Sequence, residues 1–144
     1  MSGEPYRPPG AVSGTGYRVK TVLSLVEKGW AAARWFSLEL AQRGTPVRHL
    51  AKGTIPRPTR EVLTPAPGVT LHGAPQRLYR AAAWAHLWKA QLTGKVTVVI
   101  TDNTKTAGWV KKSFPRLREK VLLLGETETG RPQVLEKGAG VFLP

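Results

Sequence analysis

Apolar residues recur along this chain with two periods, one typical of strands and the other typical of helices. Short runs rich in β-branched residues, bounded by glycine, proline or charged positions, predict buried strands. Longer segments between them repeat apolar positions every three or four residues and predict helices. The predicted strands are "YRVKTVLSLV" (17–26), "VRHLA" (47–51), "VTL" (69–71), "KVTVVIT" (95–101) and "KVLLL" (120–124).

Two of the predicted helices have a single apolar face. The first, "WAAARWFSLELAQRG" (30–44), places Ala33, Phe36 and Leu40 on one side. The other runs from about Thr104 to Ser113 and ends before a proline, which cannot continue a helix. Its predicted inward residues are Ala107, Val110 and Phe114.

The longest predicted helix is "APQRLYRAAAWAHLWKAQLTG" (74–94), with Pro75 near its first turn and Gly94 just past its end. Its predicted inward stripe is Leu78, Ala82, Ala85, Trp88 and Leu92. Two further apolar residues, Trp84 and Leu87, widen the apolar surface beyond one stripe. A second apolar stripe predicts that this helix also meets a partner or a lipid surface.

Strands that alternate with helices favour a parallel sheet covered on both faces. The sequence therefore predicts an α/β fold, a single Rossmann-like three-layer domain with a mostly parallel sheet of about five strands. Residues 1–16, rich in proline, glycine and serine, predict a flexible lead, and residues 17–144 the domain. Within it, residues 52–68 are a proline-rich excursion without a clear helix, and the last 20 residues contain only weak extended segments.

The composition narrows the classes of protein. At 144 residues, with 41% hydrophobic residues and five tryptophans, the chain predicts one folded domain. The absence of cysteine excludes disulfides, thiolate metal sites and cysteine nucleophiles. No apolar run is long enough to predict a transmembrane segment, and the first residues do not resemble a signal peptide. We therefore expect a cytoplasmic protein, with peripheral membrane association as the alternative.

The charge indicates an anionic partner. Lysine and arginine number 22 against 9 aspartate and glutamate residues, which gives a net charge of +13. Such a surface favours nucleic acid, anionic lipid headgroups or phosphorylated ligands. The basic residues are spread along the chain with no run of five, so nucleic acid is the less favoured of these partners.

Candidate site residues follow from the predicted fold. In open α/β sheets, ligands bind beyond the carboxyl ends of the strands, near the point where the strand order reverses. His72 and Asp102 are the candidate catalytic residues there. The candidate ligand-binding residues at the same strand ends are Lys28, Gly29, Gly73, Asn103, Thr104, Gly125 and Glu126.

Gly29 directly precedes the first helix, where free backbone N–H groups and the helix dipole favour an anion. Lys28 would add positive charge, whereas the alternative interpretation is that Gly29 only supplies a turn. The chain has neither G-x-G-x-x-G nor a P-loop, so no dinucleotide cofactor is predicted. No cofactor is predicted, and a nucleotide sugar or another phosphorylated molecule stays open as a ligand.

Asp102 is the only aspartate in the chain, and it stands in "TDNT" before a helix. That order is typical of a helix cap, but it also follows the clearest strand, where ligands bind. Both interpretations stay open. His49, within a strand, and His86, within a helix, are predicted to be structural or surface residues. The three histidines lack metal-ligand spacing, and no metal site is predicted.

The stretches "VLSLVEKGWAAARWFSLELAQRGTPVRHLAKG" and "VVITDNTKTAGWV" resemble the N-terminal, acceptor-side Rossmann-like domain of GT-B type glycosyltransferases. The resemblance covers roughly residues 18–125 and rests on the order of elements. In that family the nucleotide sugar binds mainly to a second Rossmann domain, for which this chain has no room. The resemblance therefore implies a subunit whose partner supplies the donor site, a fragment, or a non-catalytic homologue.

The leading hypothesis is an acceptor-like domain that binds an anionic or glycan ligand at the strand carboxyl ends and needs a partner for any activity. One alternative is a small basic nucleic-acid-binding protein. Another is a structural domain that docks onto a larger partner through its tryptophan-rich helix.

Overall fold

The structure, a computed structural model, describes residues 20–93 and 97–137, so the predicted flexible lead lies outside the described residues. Its strands form one sheet with the order β3-β2-β1-β4-β5-β6, in which β1 to β5 are parallel and β6 is antiparallel to β5. The predicted α/β class with a mostly parallel sheet is confirmed. The strands are β1 (Thr21–Leu25), β2 (Val47–Lys52), β3 (Val69–Ala74), β4 (Thr97–Thr101), β5 (Val121–Glu126) and β6 (Pro132–Lys137).

Helices cover both faces of the sheet. The α-helices are α1 (Trp30–Gln42), α2 (Arg57–Leu63), α3 (Tyr79–Leu92) and α4 (Thr104–Ser113). Short 3₁₀ turns precede α3 and follow α4. One face of the sheet packs against α1, with α2 beside it, and the opposite face packs against α3 and α4.

Apolar side chains on the strands alternate between two cores, because successive strand residues point to opposite faces. Leu23 and Val99 pack with α3 and α4, whereas their neighbours Val22 and Val98 pack with α1. Burial on both faces explains why the central strands are continuous apolar runs. The predicted inward residues of α1 and α4 are buried as expected: Ala33, Phe36, Leu40, Ala107, Val110 and Phe114.

The proline-rich segment contains a helix that the sequence analysis did not predict. α2 has Pro56 as its N-cap residue and Pro58 within its first turn. Prolines in a first turn remove only N–H groups that have no partner within the helix. Four prolines therefore limit this helix to two turns without preventing it, and the crossover from β2 to β3 is helical.

The sheet has six strands where about five were predicted. β6 pairs with β5 through a tight turn in which Gly130 has a φ of 81°. Pro132 is its first residue, a position that tolerates the missing N–H of proline. Because the apolar residues of β6 are few and exposed, its sequence has no strong strand pattern.

The inward face of α3 differs from the predicted one. Its buried residues are Tyr79, Ala83 and Leu87. Of the predicted stripe, Leu78 is 51% exposed, Trp88 45% and Leu92 69%. The helix is apolar over most of its circumference, so periodicity alone did not select the side that packs on the sheet.

The strand order creates a crevice between β1 and β4. These strands are neighbours, yet the chain leaves β1 toward α1 on one face and leaves β4 toward α4 on the other. The helices that follow the two strands therefore lie on opposite faces of the sheet, and the two loops before them meet at its carboxyl edge. This is the position in the fold where a ligand site is expected.

His49 is a structural residue, as predicted. It is fully buried on β2, where its Nε2 lies 2.6 Å from Ser37 Oγ and its ring contacts Trp30 and Phe36. Burial lowers the pKa of the imidazole from its ordinary value of 6.5 to about 4. The folded protein therefore holds this side chain in its neutral form at neutral pH.

This burial predicts a loss of stability in acid. Between pH 6.5 and about 4 the unfolded chain binds a proton at His49 that the folded protein does not. The free energy of unfolding therefore decreases as the pH is lowered through this range. The loss amounts to about 3 kcal/mol across that window. Urea unfolding at pH 7 and pH 4 should show it, whereas His49→Gln, which cannot titrate, should lose less stability. Equal pH dependence in the two proteins would contradict the assignment.

Candidate functional site

Asp102 connects the end of β4 to the loop between β1 and α1. Its Oδ1 accepts a hydrogen bond from the Glu27 amide at 2.8 Å, and its Oδ2 accepts from Lys28 at 2.9 Å and from Gly29 at 2.7 Å. Hydrogen bonds to a carboxylate are stronger than neutral ones. One side chain therefore satisfies three consecutive backbone amides.

Glu126, the last residue of β5, binds the same helix start. Its Oε1 accepts from the amide of Ala32 at 3.0 Å. A Cβ added at Gly29 would lie 3.3 Å from Asp102 Oδ2 and 3.4 Å from Glu126 Oε1. Gly29 has an ordinary φ of −79°, so glycine is needed here for the close approach of two carboxylates rather than for its conformation.

The amino end of α1 thus receives its negative charge from distant parts of the chain. The helix has no side-chain cap of its own and no acidic residue in its first turn. Carboxylates at this end satisfy unpaired amides and complement the helix dipole. The amides that were predicted to bind an external anion at Gly29 donate to Asp102 instead, and Lys28 lies exposed beside them.

Asn103, not Asp102, caps α4. Its Oδ1 accepts from the amides of Lys105 at 2.9 Å and Thr106 at 3.4 Å. The local cap interpretation of Asp102 is therefore wrong, because its carboxylate faces the β1–α1 loop. Thr104, the first residue of α4, is exposed at the edge of the crevice.

A second polar cluster lies in the crevice, around Glu27. Its side chain is 12% exposed, with Oε1 3.1 Å from the Lys52 ammonium and Oε2 accepting from Thr106 Oγ1 at 3.0 Å. Lys52 ends β2, Glu27 follows β1, and Thr106 lies in the first turn of α4. Three separate elements therefore converge on one partly buried carboxylate.

Tyr79, the first residue of α3, borders this cluster. It is 4% exposed, and its hydroxyl has no hydrogen-bond partner among the described residues. Burial, followed by the nearby Glu27 and Asp102 carboxylates, raises the pKa of its hydroxyl well above the ordinary value. The Lys52 ammonium lies 5.3 Å from the centre of the Tyr79 ring and covers it.

Other predicted site residues lie within strands rather than beyond them. His72 and Gly73 fall inside β3, which extends three residues further than predicted. The His72 ring is exposed and lies 6.0 Å from the His86 ring, away from Glu27. A Cβ at Gly73 would meet the Gly53 carbonyl at 2.7 Å, so this glycine allows a close backbone approach.

Gly125 likewise lies inside β5, opposite β6. A Cβ there would meet the Leu135 side chain at 3.1 Å. Of the predicted residues, the structure brings together Lys28, Gly29, Asp102 and Glu126, with Asn103 and Thr104 at the margin. It leaves His72, Gly73 and Gly125 outside that group.

Lys52, Tyr79 and Thr106 were not predicted as site residues. Lys52 was assigned to the proline-rich excursion, and Tyr79 and Thr106 to helix interiors. The signal that could have identified Lys52 is its place after the second apolar strand, since the carboxyl ends of parallel strands meet at one edge. Tyr79 gives no such signal, because its position depends on which face of α3 is inward.

The described residues contain neither a metal-ligand cluster nor a helix suited to cross a membrane. No group of three or more histidine, aspartate or glutamate side chains is arranged there to hold a metal ion. Within residues 20–93 and 97–137, no helix has the length and apolar character needed to cross a membrane.

Comparisons of the chain with protein-family models, with curated proteins and with solved structures each found no match. The chemistry of the site is therefore the basis for its interpretation.

The contacts of Asp102 predict that Asp102→Asn destabilises the fold. Asparagine has one acceptor oxygen, and its NH₂ group would face at least one of the loop amides, which leaves a donor unsatisfied. We expect the free energy of unfolding in urea to fall by about 1–3 kcal/mol. Glu128→Gln, the same loss of charge at an exposed position, should change it little. Equal stability of the two variants would contradict this role.

Proposed function

We propose that the protein binds a hydroxyl-rich ligand, a glycan or related polyol, in the crevice between the ends of β1 and β4. The observation that carries the proposal is the Glu27 side chain, which is 12% exposed at the point where the strand order reverses and is held by Lys52 and Thr106. Partly buried charges at such a position are a common feature of ligand sites.

The groups around Glu27 suit sugar hydroxyls. A hydroxyl can donate to a carboxylate and accept from an ammonium at the same time. Glu27 and Lys52 offer these two functions 3.1 Å apart, and the Lys52 side chain is 37% exposed to solvent. A ligand hydroxyl inserted between them would keep both charges hydrogen-bonded.

Tyr79 adds a polar group that the folded chain leaves without a partner. Its hydroxyl is buried while its ring lies under the Lys52 ammonium, and a buried unpaired hydroxyl costs free energy. Lysine side chains have many rotamers, so Lys52 can swing away from the Tyr79 ring. A ligand that displaces Lys52 would then gain the Tyr79 hydroxyl as a hydrogen-bond partner.

The resemblance to the acceptor half of GT-B glycosyltransferases supports a glycan over other polyols. It also implies that transfer would need a second, donor-binding Rossmann domain. We therefore propose acceptor binding by this domain, with any activity dependent on that second domain. Because the amides at Gly29 are taken by Asp102, an anionic ligand would depend on Lys28 and Lys52 for its charge contacts.

Sugar binding can be tested by NMR titration with N-acetylglucosamine, glucose and sialic acid as probes. We expect at least one sugar to shift the amide resonances of Glu27, Lys52 and Thr106. Lys52→Met should weaken that binding about tenfold or more, since hydrogen bonds to a charged group contribute about 1.5–3 kcal/mol.

The matched control is Lys112→Met, which removes the same charge from an exposed position on α4. It should bind the probes as the wild type does. The proposal fails if none of the three sugars shifts these resonances, or if Lys52→Met binds as well as the control.

A second candidate function is docking on an anionic membrane surface, and the exposed face of α3 favours it. Leu78, Trp88 and Leu92 are large apolar side chains exposed on one side of this helix. The helix carries Arg80 and Lys89 but no acidic residue. Apolar side chains flanked by basic ones suit the boundary between headgroups and acyl chains of an anionic bilayer.

Vesicle co-sedimentation tests this docking. The protein should bind mixed vesicles of phosphatidylserine and phosphatidylcholine and dissociate from them at high salt. It should not bind vesicles of pure phosphatidylcholine. Trp88→Ala should weaken binding about tenfold, because the ring loses its apolar burial. Trp35→Ala is the matched control, since Trp35 is 49% exposed on the opposite face of the sheet. Equal losses in both variants would rule out α3 as the docking face.

A further inference from the structure

A cavity of about 170 Å³ lies at the opposite edge of the sheet from the crevice. It is bordered by the amino ends of β1 to β4 and by the last turns of α3. A cavity of about 150 Å³ holds a benzene molecule, so this one has room for a small ligand group. Nothing in the proposed glycan site uses it.

The cavity is basic. Arg48 of β2 and His86 and Lys89 of α3 line it, and His72 of β3 lies beside His86 with 6.0 Å between the ring centres. None of the elements that border the cavity, β1 to β4 and α3, contains an aspartate or a glutamate. In the described part of the chain, neither Arg48 nor Lys89 has a carboxylate partner.

Hydroxyl groups accompany these cations. Thr70 lines the cavity, and the hydroxyls of Thr21 and Thr97 bond to each other at 2.9 Å on its border, whereas the Thr93 hydroxyl donates to the Ala90 carbonyl. A hydroxyl can donate to an anion while it accepts another bond. The set of guanidinium, ammonium, imidazole and hydroxyl donors is the one that phosphate oxygens require.

Like charges lie close together around His86. Burial, then Arg48, His72 and Lys89 in that order, lowers the pKa of the His86 imidazole. The positive groups thus face one another with no described carboxylate among them. An anion in the cavity would relieve that repulsion and favour the protonated form of His86.

We infer that this cavity binds a phosphate monoester group, with Arg48 as the forked donor and Lys89 and His86 as the flanking donors. A monoester carries up to two negative charges and three free oxygens, which suits a recess lined by several cations. A backbone phosphate of nucleic acid has a single charge and substituents on two sides, so a half-open recess bordered by several cations favours the more highly charged terminal group.

The first test is NMR titration with inorganic phosphate at constant ionic strength, with chloride as the reference salt. Phosphate should shift the amides of Arg48, Thr70 and Lys89, and it should raise the pKa of His86. Arg48→Gln and Lys89→Gln should each weaken phosphate binding about tenfold or more. Arg48→Lys keeps the charge but loses the bidentate guanidinium, so its phosphate affinity should lie between those of the two glutamine variants and the wild type.

Arg60→Gln is the matched control, because Arg60 is exposed on α2 and lies away from the cavity. It removes one positive charge and should leave phosphate binding unchanged. If it weakens binding as much as Arg48→Gln does, phosphate is held by net charge alone and the inference is overturned. The inference would also be overturned if phosphate and chloride shifted these amide resonances equally.

Two further experiments distinguish the kinds of molecule that could carry the phosphate group. Vesicles containing phosphatidic acid are compared with phosphatidylserine vesicles of equal charge. An Arg48-dependent preference for phosphatidic acid would assign the site to a lipid headgroup, whereas binding of inorganic phosphate without that preference would assign it to a free ligand. If a single-stranded oligonucleotide binds through Arg48 and phosphate does not compete, the monoester assignment is wrong.

Discussion

The carboxyl edge of the sheet is organised by the contact between the Asp102 carboxylate and the three amides of the β1–α1 loop. The partners are 73 to 75 residues apart, so the contact exists only after β1 and β4 have paired. Once made, it fixes the first turn of α1 and complements the helix dipole. Glu126 then reaches Ala32, and Gly29 leaves the space that both carboxylates need.

Charge is divided between the two edges of the sheet. Three carboxylates, those of Glu27, Asp102 and Glu126, gather at the carboxyl edge, where the amino ends of α1 and α4 supply amide donors. Arg48 and Lys89 lie at or near the amino edge, toward the carboxyl end of α3.

Parallel strands with helical crossovers set this polarity, because every helix runs antiparallel to the strands it joins. Helix dipoles favour acids at one edge and bases at the other. The three carboxylates share their edge with Lys28 and Lys52, whereas the elements that border the amino-edge cavity carry no carboxylate.

The parts of the fold that could be predicted from the sequence are those set by local patterns. The inward face of α1 follows from the spacing of Ala33, Phe36 and Leu40, which are separated by charged and polar positions. α3 offers apolar residues on nearly every side, so either Leu78 or its neighbour Tyr79 could begin the buried stripe, and only packing on the sheet decides. β6 depends on its pairing with β5 for its structure. The Asp102 contact depends on the proximity of two loops that are distant in the sequence. No local sequence pattern predicts that proximity.

The backbone and the Glu27 side chain of the β1–α1 loop make separate sets of contacts. The amides of Glu27, Lys28 and Gly29 are used by Asp102 and hold the loop in place. The Glu27 side chain points instead to Lys52 and Thr106. The fold does not require that ion pair, because a partly buried pair recovers little more than the cost of removing its charges from water. The proposed ligand would give this carboxylate, on a loop made rigid by separate contacts, a function that the stability of the fold does not require.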